Sequence, residues 1–246
     1  MKKIISLSTL AILLISCSKQ TKTNSENKTV TTNSSQEKMI GKFINKNLPT
    51  IGILIFEGVI INEVVAPLDV FSNPNINNEY LFNVITIATE NKTYNSAHGL
   101  KIKPDFVIGN IPNLKVLVVP SSYNPADQTS DKKLVEFVRE QNKTTEYIAS
   151  HCAGAFLIGE AGIANHKEIV TYVTGGESLK IDYPNLIVVD DSKVSVVQDG
   201  KFISSNGSLV SYIASFDLLE NLTNKEHREF VESAILFNRL KNTHEK

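Results

Sequence analysis

The chain has 246 residues and a formal net charge of −1. Its 25 basic residues against 26 acidic ones lack the basic excess of a dedicated nucleic-acid binder. Two cysteines exclude a disulfide scaffold or a cysteine-rich zinc module, while the length allows a sizeable core.

The N-terminus reads as an address. Lys2 and Lys3 precede an apolar stretch from Ile4 to Ile15, which ends at Ser16 and Cys17. Leu14-Ile15-Ser16-Cys17 resembles a bacterial lipobox, which predicts cleavage before Cys17 and lipidation of that residue. Loss of Lys2 and Lys3 then takes the net charge from −1 to −3. The expectation is an exported protein held on a bacterial membrane at the cell envelope by its N-terminal lipid, with no polypeptide span. Residues 18–47 are rich in Ser, Thr, Asn, Lys and Gln and read as a flexible tether. Met39-Ile40 and Phe43-Ile44 are its apolar docking points. Residues 48–246 read as one domain.

Within that domain Thr50 to Phe56 is a continuous apolar run, as in a strand covered on both faces. Ile61 to Phe71 has helical spacing, and Pro67 predicts either a start or a kink there. Phe82 to Ala88 reads as a strand, Thr93 to Ile102 as a small hairpin, and Val116 to Val119 as a strand stopped by Pro120. Asp131 to Gln141 reads as a helix capped by Ser130 or Asp131. Glu146 to Ala149 is a strand and Cys152 to Glu160 a helix. Three short strands follow, at Leu186 to Val189, Val194 to Val197 and Phe202 to Ser204. Gly207 to Asn221 and Lys225 to Leu240 are closing helices. This alternation predicts an α/β fold: a single flavodoxin-like three-layer α/β/α sandwich with a mostly parallel sheet. Ligands gather beyond the carboxyl ends of such strands. Here those ends are Glu57-Gly58, Pro120-Ser121-Ser122 and Ser150-His151-Cys152.

Tyr147 to Ala155 is strand, sharp turn, then helix, with Cys152 at the turn. This is the layout of a nucleophile elbow, with small residues two before (Ser150) and two after (Gly154). Free N–H groups at the helix start predict a stabilised thiolate, and the Ala153 N–H is a candidate oxyanion donor. Lipidation of Cys17 leaves Cys152 without a disulfide partner in the chain.

From Leu48 to about Asn221 the sequence resembles the ThiJ/PfpI family, also called Parkinsonism-associated deglycase-like proteins, of the class I glutamine amidotransferase-like superfamily. The matching stretches are GILIFEGVIINEVVAPLDVF, LKVLVVP, IASHCAGAFLIGEAGIA and VVQDGKFISSNG. The isonitrile hydratase-like branch is most similar. The resemblance implies a homodimer and a cofactor-free site. It places an acid after the first strand, and Glu63 falls there, as hydrogen-bond partner or general acid-base for the thiol. The family's third strand ends in Pro-Gly-Gly; here Ser121 and Ser122 replace the glycines, and their hydroxyls are candidate oxyanion or pocket groups. The family's late histidine falls on Tyr172, a weak base. His151 points away from its neighbour Cys152 and is expected under the turn or at a subunit contact.

Gly154 to Gly159 lacks the lysine of a phosphate loop, and Gly175-Gly176-Glu177 reads as a plain turn, with an anion-binding helix start as the alternative. His98, His227 and His244 do not cluster with acids, so no metal site is expected. No helix pair for DNA follows Leu240, so nucleic-acid binding does not carry over from regulators with this fold. The leading reading is a cysteine-dependent hydrolase, hydratase or lyase acting on a small carbonyl, amide or nitrile-like compound. The alternative is a redox-sensing or ligand-binding lipoprotein without catalysis.

Overall fold

The computed structural model describes residues 43–242, with the last two side chains left aside. The signal segment, Cys17 and most of the predicted tether lie outside the described residues, as does His244. At the near edge of the tether, Ile44 packs against the core and Asn45 exchanges hydrogen bonds with Asn83 at 3.0 Å. No helix among the described residues is long and apolar enough to cross a membrane.

The elements run β1 (Thr50–Leu54), α1 (Ile61–Ser72), β2 (Asn83–Ala88), β3 (Tyr94–Asn95), β4 (Lys101–Ile102), β5 (Phe106–Val107) and β6 (Val116–Val119). Then come α2 (Pro125–Ser130), α3 (Lys132–Gln141), β7 (Tyr147–His151), α4 (Gly154–Ala161), β8 (Glu168–Ile169) and α5 (Gly176–Asp182). The chain closes with β9 (Ile187–Val188), β10 (Val196–Asp199), β11 (Phe202–Ser205), α6 (Val210–Leu222), α7 (Lys225–Ala234) and α8 (Phe237–Asn242). Seven strands form one sheet in the order β10-β11-β7-β6-β1-β2-β5, parallel except for the β10–β11 pair. Every residue of β1, β2, β6 and β11 is buried, so both faces of the sheet centre are covered. Helix α1 packs on α6, and α2 and α3 pack on α4. The mostly parallel sheet with flanking helices is the architecture that the alternation predicts.

From β1 the chain steps to β2 on one side and later returns to β6 on the other. The order therefore reverses between β1 and β6, where α/β sheets open a crevice for ligands. The register Val119↔Ser150 and Ser205↔His151 brings the ends of β6, β7 and β11 level beside it.

Several expectations are refined. Helix α1 passes through Pro67 and starts at Ile61. The cap of α3 is Asp131, whose side chain accepts from Lys133 N and Leu134 N. The last predicted helix breaks at Leu236, which has φ 63°. Gly175-Gly176 is not a plain turn: α5 opens at Gly176, and Asp191 caps it by accepting from Thr174 N at 3.2 Å and Gly176 N at 2.8 Å. A carboxylate of the chain itself thus satisfies that helix end. Helix α6 begins at Val210 rather than Gly207, and the residues released from it join the site.

Candidate active site

Cys152 lies between β7 and α4 with φ 52°, a left-handed conformation that costs a non-glycine residue on the order of 1–3 kcal/mol. Its N–H donates to Ser205 O at 2.8 Å, and its carbonyl accepts from Thr171 Oγ1 at 2.9 Å. These bonds hold the turn open. Gly154 is needed directly after it, because a Cβ there would run into Val119 O and lie 2.9 Å from Pro120 O. The small flank that the elbow calls for therefore has its cause in the end of β6.

Glu63, in the first turn of α1, has no exposed surface. Its Oε2 accepts from Ser121 N at 2.7 Å and its Oε1 from Ser208 N at 3.3 Å. The carboxyl lies beside Cys152: a Cβ at Gly207 would meet both Glu63 Oε1 and Cys152 Cβ. Burial raises the Glu63 pKa, against the lowering effect of the Ser121 and Ser208 donors. Burial, and next the Glu63 charge, push the Cys152 thiol up to about 11. The Ser121 hydroxyl and the Ala153 N–H favour the thiolate but do not outweigh these two causes. Burial and the neighbouring carboxyl thus oppose the thiolate that the helix start favours.

The structure separates the two serines. Ser122 Oγ bonds to Gln128 Oε1 and is spent on the loop. The Ser121 hydroxyl is buried, has no well-formed hydrogen bond among the described residues, and lies within reach of both the carboxyl and the thiol. Tyr172 stacks on Phe156, with ring centroids 6.3 Å apart, and Gly175 lies against its ring. No hydrogen bond among the described residues joins Tyr172 to Cys152; its neighbour Thr171 makes that link. His151 is 1% exposed and turned to Ser205, with Nδ1 2.8 Å from Oγ, and burial pushes its pKa down to about 3. It is a neutral residue packed under the elbow, as its place in the strand predicts. No group of acids, histidines and cysteines among the described residues is arranged to hold a metal ion.

Sequence reasoning missed Gly207, Ser208 and Thr171. Gly207 has φ 85°, and a Cβ there would collide with Cys152 Cβ and Glu63 Oε1. Ser208 has φ 49° and turns its N–H to the carboxyl. The signal was present: Ser204-Ser205-Asn206-Gly207 also ends a strand at the same edge of the sheet.

The DJ-1/PfpI family pattern matches residues 49–220. The chain belongs to this family. Isonitrile hydratase of Pseudomonas putida is 25% identical over 183 residues, which is 74% of this chain and 75% of that protein. Protein dj-1beta of Drosophila melanogaster is 27% identical over 143 residues, covering 57% of this chain and 74% of that one. Among solved structures, Drosophila melanogaster DJ-1beta aligns with TM-score 0.67 and 20% identity, over 77% of this chain and 98% of the other. A THiJ/PfpI family protein from Pseudomonas syringae aligns with TM-score 0.67 and 19% identity, over 81% and 76% of the two chains. At these identities the structural matches establish the DJ-1/PfpI fold.

Proposed function

We propose that this DJ-1/PfpI protein is a cofactor-free, cysteine-dependent hydrolase, hydratase or lyase for a small electrophile with a carbonyl, amide or nitrile-like carbon. The observation that carries the reading is the buried Glu63 carboxyl, held by the Ser121 and Ser208 N–H groups beside Cys152 at a strained strand–helix turn, so close that one Cβ at Gly207 would meet both. A thiol pushed up to about 11 needs a base as it attacks, and the Glu63 carboxylate is in contact with it. Sγ bonds to the electrophilic carbon while the thiol proton passes to Glu63. For a nitrile the displaced electron pair goes to nitrogen, which takes the proton from Glu63 and leaves a thioimidate; for an isonitrile the attacked carbon takes that proton; for an amide the pair goes to oxygen and returns to expel the amine, which leaves with the Glu63 proton and gives a thioester. Water then adds to the C=N or C=O carbon of that intermediate with one proton passing to the nitrogen or oxygen, and the C–S bond breaks as the new hydroxyl's proton passes through Glu63 to Sγ, which restores the thiol and releases the amide, formamide or acid. The relative named isonitrile hydratase supports including carbon–nitrogen multiple bonds among the substrates.

The test is a panel of small nitriles, isonitriles, amides and aldehydes with wild type, Cys152→Ser and Glu63→Gln. Turnover lost in both variants supports the reading; turnover untouched by Cys152→Ser sinks it. A second reading, ligand binding without turnover, rests on the absence among the described residues of an imidazole bonded to Cys152.

The same proposal places the domain on a bacterial envelope membrane through a lipid on Cys17, and pairs it as a homodimer by family analogy. The Lys2-Lys3, Ile4–Ile15 and Cys17 pattern supports the anchor. Cys17→Ala is expected to move the protein from the membrane to the soluble fraction, and persistence in the membrane fraction removes this part of the reading.

A further inference from the structure

The elbow is braced from beneath by two side chains that take no part in the proposed reaction. His151 and Ser205 are register partners on the parallel strands β7 and β11, 1% and 0% exposed. His151 Nδ1 is 2.8 Å from Ser205 Oγ, and Gly207 N donates to the same Oγ at 3.3 Å. The Ser205 carbonyl accepts the Cys152 N–H at 2.8 Å. Ser205 thus holds the nucleophile turn with its backbone and the start of the 206–208 loop with its side chain.

That loop carries the contacts that matter for Glu63. Gly207 lies against Cys152 and the Glu63 carboxyl with no room for a side chain. Ser208 then donates to Glu63 Oε1 at 3.3 Å. Asn206 Nδ2 donates to Thr171 O at 2.7 Å, and Thr171 Oγ1 donates back to Cys152 O at 2.9 Å, so the ring of bonds closes on the nucleophile. His151 is neutral and turned away from the thiol, so it acts as neither base nor counter-charge. Its Nε2 is buried and has no hydrogen-bond partner among the described residues.

We propose that His151 and Ser205 form a positioning dyad that fixes residues 206–208 and, through them, the seat of the Glu63 carboxyl against Cys152. This rests on the reading of Cys152 and Glu63 as the reacting pair. Loosening the dyad withdraws the Ser208 N–H, one of the two backbone donors on the carboxyl. The ionisable groups facing the pair are Glu63 and Cys152 themselves, with neutral His151 one residue behind.

The test needs no substrate. The rate of Cys152 alkylation by a small neutral haloacetamide is followed from acid to alkaline pH in the full chain, with Cys152→Ala as the blank. The acid inflection belongs to Glu63 if Glu63→Gln removes it. Ser205→Ala and His151→Leu are expected to move that inflection up by about half a pH unit, because a carboxylate that loses a donor stays protonated to higher pH. Ser205→Thr, which keeps the hydroxyl, is expected to leave it in place. An unmoved inflection in both deletion variants, with cooperative melting retained, overturns the dyad and leaves the pair standing. A shift of equal size in Ser205→Thr also overturns it, since the hydroxyl would then be irrelevant. If Ser205→Ala does not fold, His151→Leu and Ser205→Thr decide the question. A wild-type profile identical to that of Glu63→Gln overturns the pair itself, and the dyad with it.

Discussion

Glu63 and Ser121 stand 58 residues apart in sequence and meet where α1 begins and β6 ends, with the Ser121 N–H donating to Oε2 at 2.7 Å. The bond ties the acid to the loop that carries the free Ser121 hydroxyl. The end of β11 supplies a second donor to the carboxyl, from Ser208. The charge state of the site is therefore set by three strand ends and not by the elbow alone. Removing the acid and removing the hydroxyl should have opposite effects on the thiol.

Glu63→Gln is expected to make Cys152 a better labelling target and a worse catalyst. The Glu63 charge is the second cause, after burial, of the raised thiol pKa. Its loss should lower the alkaline midpoint of alkylation by about one pH unit, so labelling at neutral pH rises about tenfold. Turnover should fall by about 100- to 10,000-fold, the range for a lost general acid-base. An unchanged labelling midpoint would show that the carboxyl does not bear on the sulfur.

Ser121→Ala and Ser122→Ala should divide into an effect on chemistry and an effect on stability. Ser121 makes no well-formed side-chain bond but favours the thiolate, so its alanine variant should melt almost as wild type while the alkylation midpoint rises by about half a unit. Ser122→Ala leaves the buried Gln128 Oε1 without its partner, which should cost about 1–2 kcal/mol and leave the midpoint where it was. Denaturant unfolding and pH-resolved labelling of the two variants check both halves.

The features legible in the sequence are those with local causes. The buried strands are continuous apolar runs, and the elbow shows itself through Ser150, Cys152 and Gly154 over five residues of chain. Glu63 was found because a family motif surrounds it. What escaped depends on pairings across the fold. Helix α5 starts on two glycines, poor helix formers, and is capped by Asp191 from beyond its far end. Strand β5 is two residues long and gains its identity only by pairing with β2. The 206–208 loop reads locally as the start of a helix, yet the β11–β7 register carries it to Cys152. The thiol shows the same division. The helix start that favours the thiolate is local, whereas the burial that opposes it arises from elements distant in sequence.

Two buried groups should give stability opposite slopes with pH. Glu63 has a folded pKa raised above 4.5, so the stability it contributes is complete below that value and is lost as pH rises through the folded pKa. His151 is lowered from 6.5 to about 3, so its contribution is present above 6.5 and is lost as pH falls towards 3. Melting temperatures followed from pH 3 to 8 should show the acid-side loss reduced in His151→Gln. The decline on raising pH above 4.5 should be reduced in Glu63→Gln. Profiles parallel to wild type in both variants would mean that neither group shifts on folding.

Gly207→Ala and Gly154→Ala should both destabilise, for different reasons and with different effects on the thiol. At 154 the added methyl meets the backbone oxygens of Val119 and Pro120, which cannot move without pulling on β6. At 207 it meets Cys152 and Glu63, and the backbone is also left-handed, with φ 85°. Each substitution should cost about 1–3 kcal/mol, the range for overpacking a tight site. Only at 207 does the methyl fall between the two reacting groups and break their contact. Gly207→Ala should therefore also remove the effect of Glu63 on labelling, so that adding Glu63→Gln to it changes the alkylation profile no further. In the Gly154→Ala background Glu63→Gln should still shift the profile. A full Glu63→Gln shift in the Gly207→Ala background would show that the loop does not seat the carboxyl on the sulfur.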